Sequence, residues 1–248
     1  MDKKTSIVIV GATSAMAEHC ARLWAANTAV DLTLIGRNAE KMERIATDLR
    51  VRSPASDIRQ VVADFLDPAA IRSTIDAVAA RGVIDVALIA HGSLPDQKAC
   101  EADLALAREA LEVNAVSPVL FAEAIAGHMA RSEHGTLGII GSVAGDRGRR
   151  SNYVYGAAKG LVTRYAQGLQ HRFAGKGVKV VLIKPGPTET PMTASLGMKG
   201  LAPVEDVAKA IVAGMASGAS VVYAPLKWAL IMMIIRHLPR FVFNRMNI

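Results

Sequence analysis

Seven short runs of β-branched and aliphatic residues recur along the chain, at 6–10, 32–35, 58–62, 83–90, 136–141, 178–183 and 221–224. Longer alanine-rich stretches of helical period fill most of the gaps, at 15–26, 39–50, 68–81, 101–131, 153–175 and 203–217. Regular alternation of this kind is the pattern of repeated βαβ units around a parallel sheet. Because the strand runs are apolar on both faces, helices must cover both sides. The expected fold is therefore α/β: a single doubly wound Rossmann-type domain over 1–248, with a seven-stranded parallel sheet and helices on both faces. Two segments break the alternation. Residues 189–202 are polar, with two glycines and one proline, and read as a lid. The other is the tail from about 225.

Composition narrows the function classes. The 248 residues are 51% hydrophobic, enough for a sizeable core, and Lys plus Arg exceed Asp plus Glu by 29 to 22. The resulting +7 is localised: no acidic residue follows Asp206, so Lys227, Arg236, Arg240 and Arg245 give the tail +4, and residues 143–159 carry the other +3. A nucleic-acid-coating protein spreads its basic stripe and adds stacking aromatics, which are only 4% here, so no nucleic-acid partner is expected. Cys20 and Cys100 are too few for a disulfide scaffold and lack zinc-site spacing. No metal is expected, and a reducing cytoplasm is the simplest compartment. Lys3-Lys4, the apolar run and Ala15-Met16-Ala17 imitate a secretory signal. That reading is set aside because the same residues form a better-specified motif.

The first strand runs into Gly11-Ala12-Thr13-Ser14-Ala15-Met16-Ala17 and then a helix. A tight turn and a helix N-terminus at the sheet edge suit a pyrophosphate, so Gly11, Thr13, Ser14, Ala15 and Met16 are candidate cofactor contacts. The literal Gly-x-Gly-x-x-Gly fingerprint is absent, and an ordinary strand-to-helix turn is the alternative. The second strand ends in Gly36-Arg37-Asn38, where NAD-preferring folds usually place an acid. Arg37 can pair with a 2′-phosphate, which favours NADP(H) and leaves NAD(H) open. Asp31 falls at the wrong end of that strand and reads as a surface acid. Asp64 either accepts from an adenine amino group or is a solvated turn residue.

Tyr155 and Lys159 stand four apart on one helix face. A nearby cation favours phenolate and is expected to lower the tyrosine pKa toward a range useful for proton transfer. Ser142 ends a strand thirteen residues earlier, and its hydroxyl can bond a substrate oxygen as charge develops. Asn114 lies in the preceding helical stretch. Together with Pro185-Gly186-Pro187-Thr188-Glu189-Thr190, this ordered set resembles the classical short-chain dehydrogenase/reductase family along essentially the whole chain.

The resemblance implies an NAD(P)-dependent enzyme that moves a hydride between nicotinamide and a carbonyl or secondary alcohol. It assigns Tyr155 as general acid or base, Lys159 as modulator of its pKa and ribose ligand, Ser142 as the group that positions the carbonyl, and Asn114 as support of a proton relay. It further places Ala90, Gly92, Pro185, Gly186, Thr188 and Thr190 at the cofactor. The family's later glycines are replaced by Ala15 and Ala17, and its Asn-Asn-Ala-Gly reads Ile89-Ala90-His91-Gly92. His91 is either a pH-sensitive ligand near the ribose or a packed structural histidine. Tyr153 has Ala157 four residues later, so no lysine activates it.

Arg147, Arg149 and Arg150 immediately precede the tyrosine. They read either as ligands of an anionic substrate or as a solvated or subunit-facing loop. The uncharged run 228–235 is far shorter than a bilayer span of roughly 20 residues. It suits a membrane surface, with Trp228 and the flanking cations at the interface, or burial against the core or a second subunit. Within the family, the arginine block and the His-Leu-Pro tail resemble the decaprenylphosphoryl 2-keto-ribose reductase group. That resemblance implies a keto sugar on a polyprenyl phosphate as the lipid-linked alternative to a small-molecule carbonyl substrate, and a place at the inner face of the membrane. The family resemblance also implies a homo-oligomer, a dimer or tetramer. The competing reading is a catalytically silent nucleotide-binding scaffold that docks on a membrane or partner.

Overall fold

The computed structural model describes residues 4–194, 197 and 199–246. Its first half runs β1 (Thr5–Val10), α1 (Ala15–Asn27), β2 (Val30–Gly36), α2 (Ala39–Arg52), β3 (Asp57–Val62), α3 (Pro68–Ala79) and β4 (Val86–Ile89). Three helices follow: α4 (Gln97–Ala102), α5 (Leu104–Leu111) and α6 (Ser117–Ser132). The second half is β5 (Gly135–Ile140), α7 (Tyr153–Arg172), β6 (Val178–Pro185), α8 (Val204–Ser217), β7 (Val221–Ala224), α9 (Lys227–His237) and α10 (Arg240–Phe243). The strands pair in parallel in the order β3-β2-β1-β4-β5-β6-β7.

Strand side chains alternate between the faces, so β1 sends Ile7 and Ile9 to one core and Val8 and Val10 to the other. The first core is closed by α1, α2 and α8, with Cys20, Leu49 and Ile211 buried. The second is closed by α3, α6 and α7, with Ile75, Phe121 and Val162 buried. The strand order reverses between β1 and β4, and the crevice at their carboxyl ends is where an open α/β sheet binds its ligand.

Three expected boundaries are corrected. The fourth strand begins at Val86 rather than Val83, because the chain is still turning at Gly82, whose φ is 155°. The expected helix over 101–131 is interrupted. Asp103 accepts the Ala105 N–H and caps a new helix, and a π-helical turn at Glu112–Val116 separates α5 from α6. The stretch Leu104–Ser132 is long and apolar enough to cross a membrane, yet much of it is buried in the protein. The helix expected over 153–175 stops at Arg172. The two ends of the segment 189–202 are joined to each other, with Glu189 N–H on the Ala202 carbonyl at 2.8 Å and Ala202 N–H on the Pro187 carbonyl at 3.0 Å, and residues 195, 196 and 198 of the expected lid lie outside the described residues.

Candidate active site

Two connected hollows open at the switch point. The outer groove, about 640 Å³, runs past the ends of β1, β2 and β4. Gly11 makes it possible: its φ of 81° suits glycine, and a Cβ there would lie 2.6 Å from the His91 backbone. Gly11 and Ala12 donate to the Ile35 carbonyl, which fixes the turn, and Ser14 starts α1. Thr13, Ser14, Ala15, Met16, Arg37, Ala90, Gly92 and Thr190 all line this groove, as expected. Ala17 packs inward, fully buried, so the missing third glycine leaves no obstruction.

The rim around Arg37 carries a residue that motif reading missed. Lys41 lies one helical turn into α2, whose N-cap Asn38 accepts the Lys41 N–H at 2.8 Å. Among the described residues the groove lining has no carboxylate. Asp31 sits at the start of β2, paired with Arg59, as the surface-acid reading expects. Asp64 stands beside the groove rather than in its lining and accepts the Leu66 N–H at 2.8 Å, while Phe65 and Leu66 form the wall.

His91 is packed. Its ring makes edge contacts with Phe65 and Phe121 at centroid distances of 4.8 and 5.6 Å, and its Nε2 bonds Ser117 at 2.8 Å. Burial, then the fields of Lys159 and Arg37, push its pKa down to about 3. Burial thus favours the neutral ring, in keeping with the packed reading, while its Nδ1 has no partner among the described residues.

The inner cavity, about 210 Å³, holds Asn114, Ser142, Tyr155, Lys159, Pro185, Gly186, Thr188 and Thr190. Asn114, fully buried, is delivered by the π-helical turn; its amide donates to Ala110 O at 2.9 Å and Ser93 Oγ at 3.2 Å, and its Oδ1 accepts Ser93 N–H at 2.8 Å. Extra residues of this kind inside helices frequently mark functional sites. A Cβ at Gly92 would sit 2.8 Å from Asn114 Oδ1 and 3.6 Å from Lys159 Nζ, so glycine keeps the space where those two groups converge. Lys159 is buried and donates to the Ile140 carbonyl at 3.1 Å. Ser142 caps the short 3₁₀ turn Val143–Asp146 and hydrogen-bonds Tyr155. Gly145 lets that turn rest on α7, since a Cβ there would be 2.6 Å from the Lys159 carbonyl oxygen.

The expected sign of the Tyr155 shift is overturned. Burial raises its pKa and the Ser142 bond offsets only part of this. The Lys159 ammonium is 5.8 Å from the ring centroid, and burial pushes its own pKa down to about 8.

The arginine block divides. Arg147 is partly buried against the tail: it donates to the carbonyls of Ile235 and Leu238 at 2.5 and 2.7 Å and lies 3.8 Å over the Phe243 ring. Arg149 lines the inner cavity. Its one hydrogen bond among the described residues is to the Met232 thioether at 3.6 Å, and its buried Nε has no partner among them. Asp146 is close, but its oxygens are taken by Lys184 and by the Tyr223 hydroxyl. The buried Asn152 Oδ1 on the same cavity also lacks a partner among the described residues. Sequence reasoning missed Asn152, Ser93, Leu94, Met192 and Gln97, whose Oε1 accepts Val154 N–H at 3.0 Å and steadies the start of α7. None belongs to a recognisable motif.

Trp228 is not an outward-facing interfacial anchor. It packs inward on Gly186, where a Cβ would approach the indole nitrogen to 1.9 Å.

Comparison with known proteins agrees with this geometry. Residues 5–199 match the family model described as short chain dehydrogenase. An uncharacterised oxidoreductase of Mycobacterium tuberculosis strain H37Rv is 36% identical over 245 residues, covering 97% of this chain and 96% of that protein. Sulfoacetaldehyde reductase 2 of Chromohalobacter salexigens is 31% identical over 192 residues, covering 75% and 74%. Among solved structures, a short-chain dehydrogenase from Sphingobium yanoikuyae in complex with NADPH superposes with a TM-score of 0.82 at 20% identity, covering 98% and 96%.

Proposed function

The chain belongs to the short-chain dehydrogenase family and is an oxidoreductase, and from that premise we propose that it reduces an anionic carbonyl substrate with NADPH. The observation that carries the substrate reading is Arg149, a half-buried guanidinium on the cavity wall. Its only hydrogen-bond partner among the described residues is a thioether, a weak acceptor. A buried cation in that state favours a carboxylate, sulfonate or phosphate. The similarity to a protein named for sulfoacetaldehyde, itself an anionic carbonyl compound, points the same way.

Cofactor fit rests on the groove. Gly11 lets the turn after β1 close against the His91 backbone, Gly92 leaves the room beside Asn114 and Lys159 that a Cβ would take, and Arg37 with Lys41 on a rim without carboxylates among the described residues favours a 2′-phosphate. When bound, the nicotinamide supplies the hydride. The chain's own groups then manage the proton. Ser142 orients the substrate oxygen. Tyr155, kept protonated by burial, donates to that oxygen as the carbon receives the hydride. Lys159 stabilises the phenolate left behind, and Asn114 holds the backbone at Ser93 beside it.

Within this class, a keto sugar on a polyprenyl phosphate matches the phosphate-seeking Arg149 and the exposed apolar tail. We further propose a dimer or tetramer, supported by the exposed apolar side chains Leu104, Leu111 and Leu161 on α5 and α7. A cytoplasmic location, at the inner face of the membrane, goes with that substrate.

NADPH oxidation with glyceraldehyde 3-phosphate against glyceraldehyde, and with sulfoacetaldehyde against acetaldehyde, tests the substrate reading. The anionic member of each pair is expected to have a kcat/KM at least tenfold higher, and Arg149→Met is expected to erase that advantage while sparing the neutral aldehydes. Equal turnover of both members overturns the anionic reading.

A further inference from the structure

Helix α9 is apolar on two sides, and only one is used by the fold. The inner side carries Met232, fully buried, and Trp228 on Gly186, while Arg147 bonds the carbonyls at the helix end. The outer side carries Leu230, Met233 and Ile234, with Leu226 at the N-cap, spaced i, i+4, i+7 and i+8 from Leu226, and so forms one stripe. These side chains are 78%, 59%, 53% and 54% exposed, and Phe241 on α10 adds another at 67%. A contiguous apolar stripe held on a pinned helix marks an interaction surface.

The charge around this stripe selects its occupant. Lys227, Arg236, Arg240 and Arg245 lie in the same segment, and no Asp or Glu follows Asp206. A second copy meeting this face about a two-fold axis would set four cations against four, with no acid in the segment to pair them. An anionic lipid surface answers both features, since apolar side chains enter the acyl boundary and the cations meet the headgroups.

We propose that the outer face of α9 and α10 docks the protein on an anionic bilayer. The docked face adjoins the inner cavity, because Trp228 and Met232 on the inner side of the same helix touch Gly186 and Arg149. Docking thus sets the cavity close to the lipid surface. Such docking goes beyond the proposed reaction and does not depend on it.

The experiment is co-sedimentation of the full chain with vesicles of phosphatidylcholine alone or with about 30% of the anionic lipid phosphatidylglycerol. Binding to the anionic vesicles is expected to exceed binding to the neutral ones at least tenfold and to fall severalfold in 0.5 M salt. Leu230→Glu with Ile234→Glu is expected to abolish it, with the circular dichroism spectrum unchanged because both residues are exposed. Light scattering of the same variants separates the remaining occupant. Failure to bind anionic vesicles overturns the proposal, and so does a dimer that the double variant dissociates.

Discussion

At the residue scale, the chemistry rests on two buried groups whose charges are set by burial rather than by each other. Lys159 sits near 8 instead of its usual 10.5, and Tyr155 is pushed above its usual 10. For carbonyl reduction both must carry their protons, so the lower value governs. The kcat/KM of the free enzyme is expected to be flat below pH 7 and to decline through about pH 8 as Lys159 loses its charge. A decline centred near 10 in the pH profile would show that Lys159 is not the limiting group. Cofactor choice belongs to this scale too. Arg37→Ala is expected to raise KM for NADPH about tenfold, the worth of one charge-assisted pair, with little change for NADH, and parallel titrations of the two cofactors check it. The Tyr155, Lys159, Ser142 and Asn114 set was legible because spacing and order carry it. The direction of the Tyr155 shift was not, because burial depends on how the turn after β5 folds over α7, which no local window contains.

Among the elements, the strands and most helices were legible from period alone, while the path from β4 to α6 was not. Residues 101–131 read as one helix because their apolar pattern is nearly continuous. The structure breaks it with the Asp103 cap and the π-helical turn, and that turn is what brings Asn114 to the cavity. The tail illustrates a second limit. Arg147 and the helix end it holds are 88 and 91 residues apart in sequence, so a pairing with Ile235 and Leu238 leaves no sequence trace. Those two bonds and the contact with Phe243 are together worth about 2 kcal/mol. Arg147→Ala is therefore expected to lower the melting temperature by about 4–8 °C and to speed proteolysis after α9. An unchanged melting curve would mean that the tail is held by Trp228 and Met232 alone.

For the molecule as a whole, the doubly wound sheet gathers onto one edge a glycine turn from β1, the Ala90–Gly92 corner after β4, Ser142 after β5 and Gly186 after β6. The two basic segments that stand out in the sequence converge at that edge as well, since Arg147 and Arg149 touch the tail. Everything proposed for the site turns on this edge reducing a carbonyl with a proton from Tyr155. The decisive measurement is NADPH oxidation over a panel of anionic and neutral keto sugars and aldehydes, with wild type and Tyr155→Phe side by side and NADPH binding followed by its fluorescence. Turnover by wild type is expected, with a loss in kcat of about 10²–10⁴ in the variant and unchanged NADPH binding. Turnover retained by Tyr155→Phe would contradict the assignment, and NADPH binding by wild type without turnover of any carbonyl would leave a nucleotide-binding scaffold in its place.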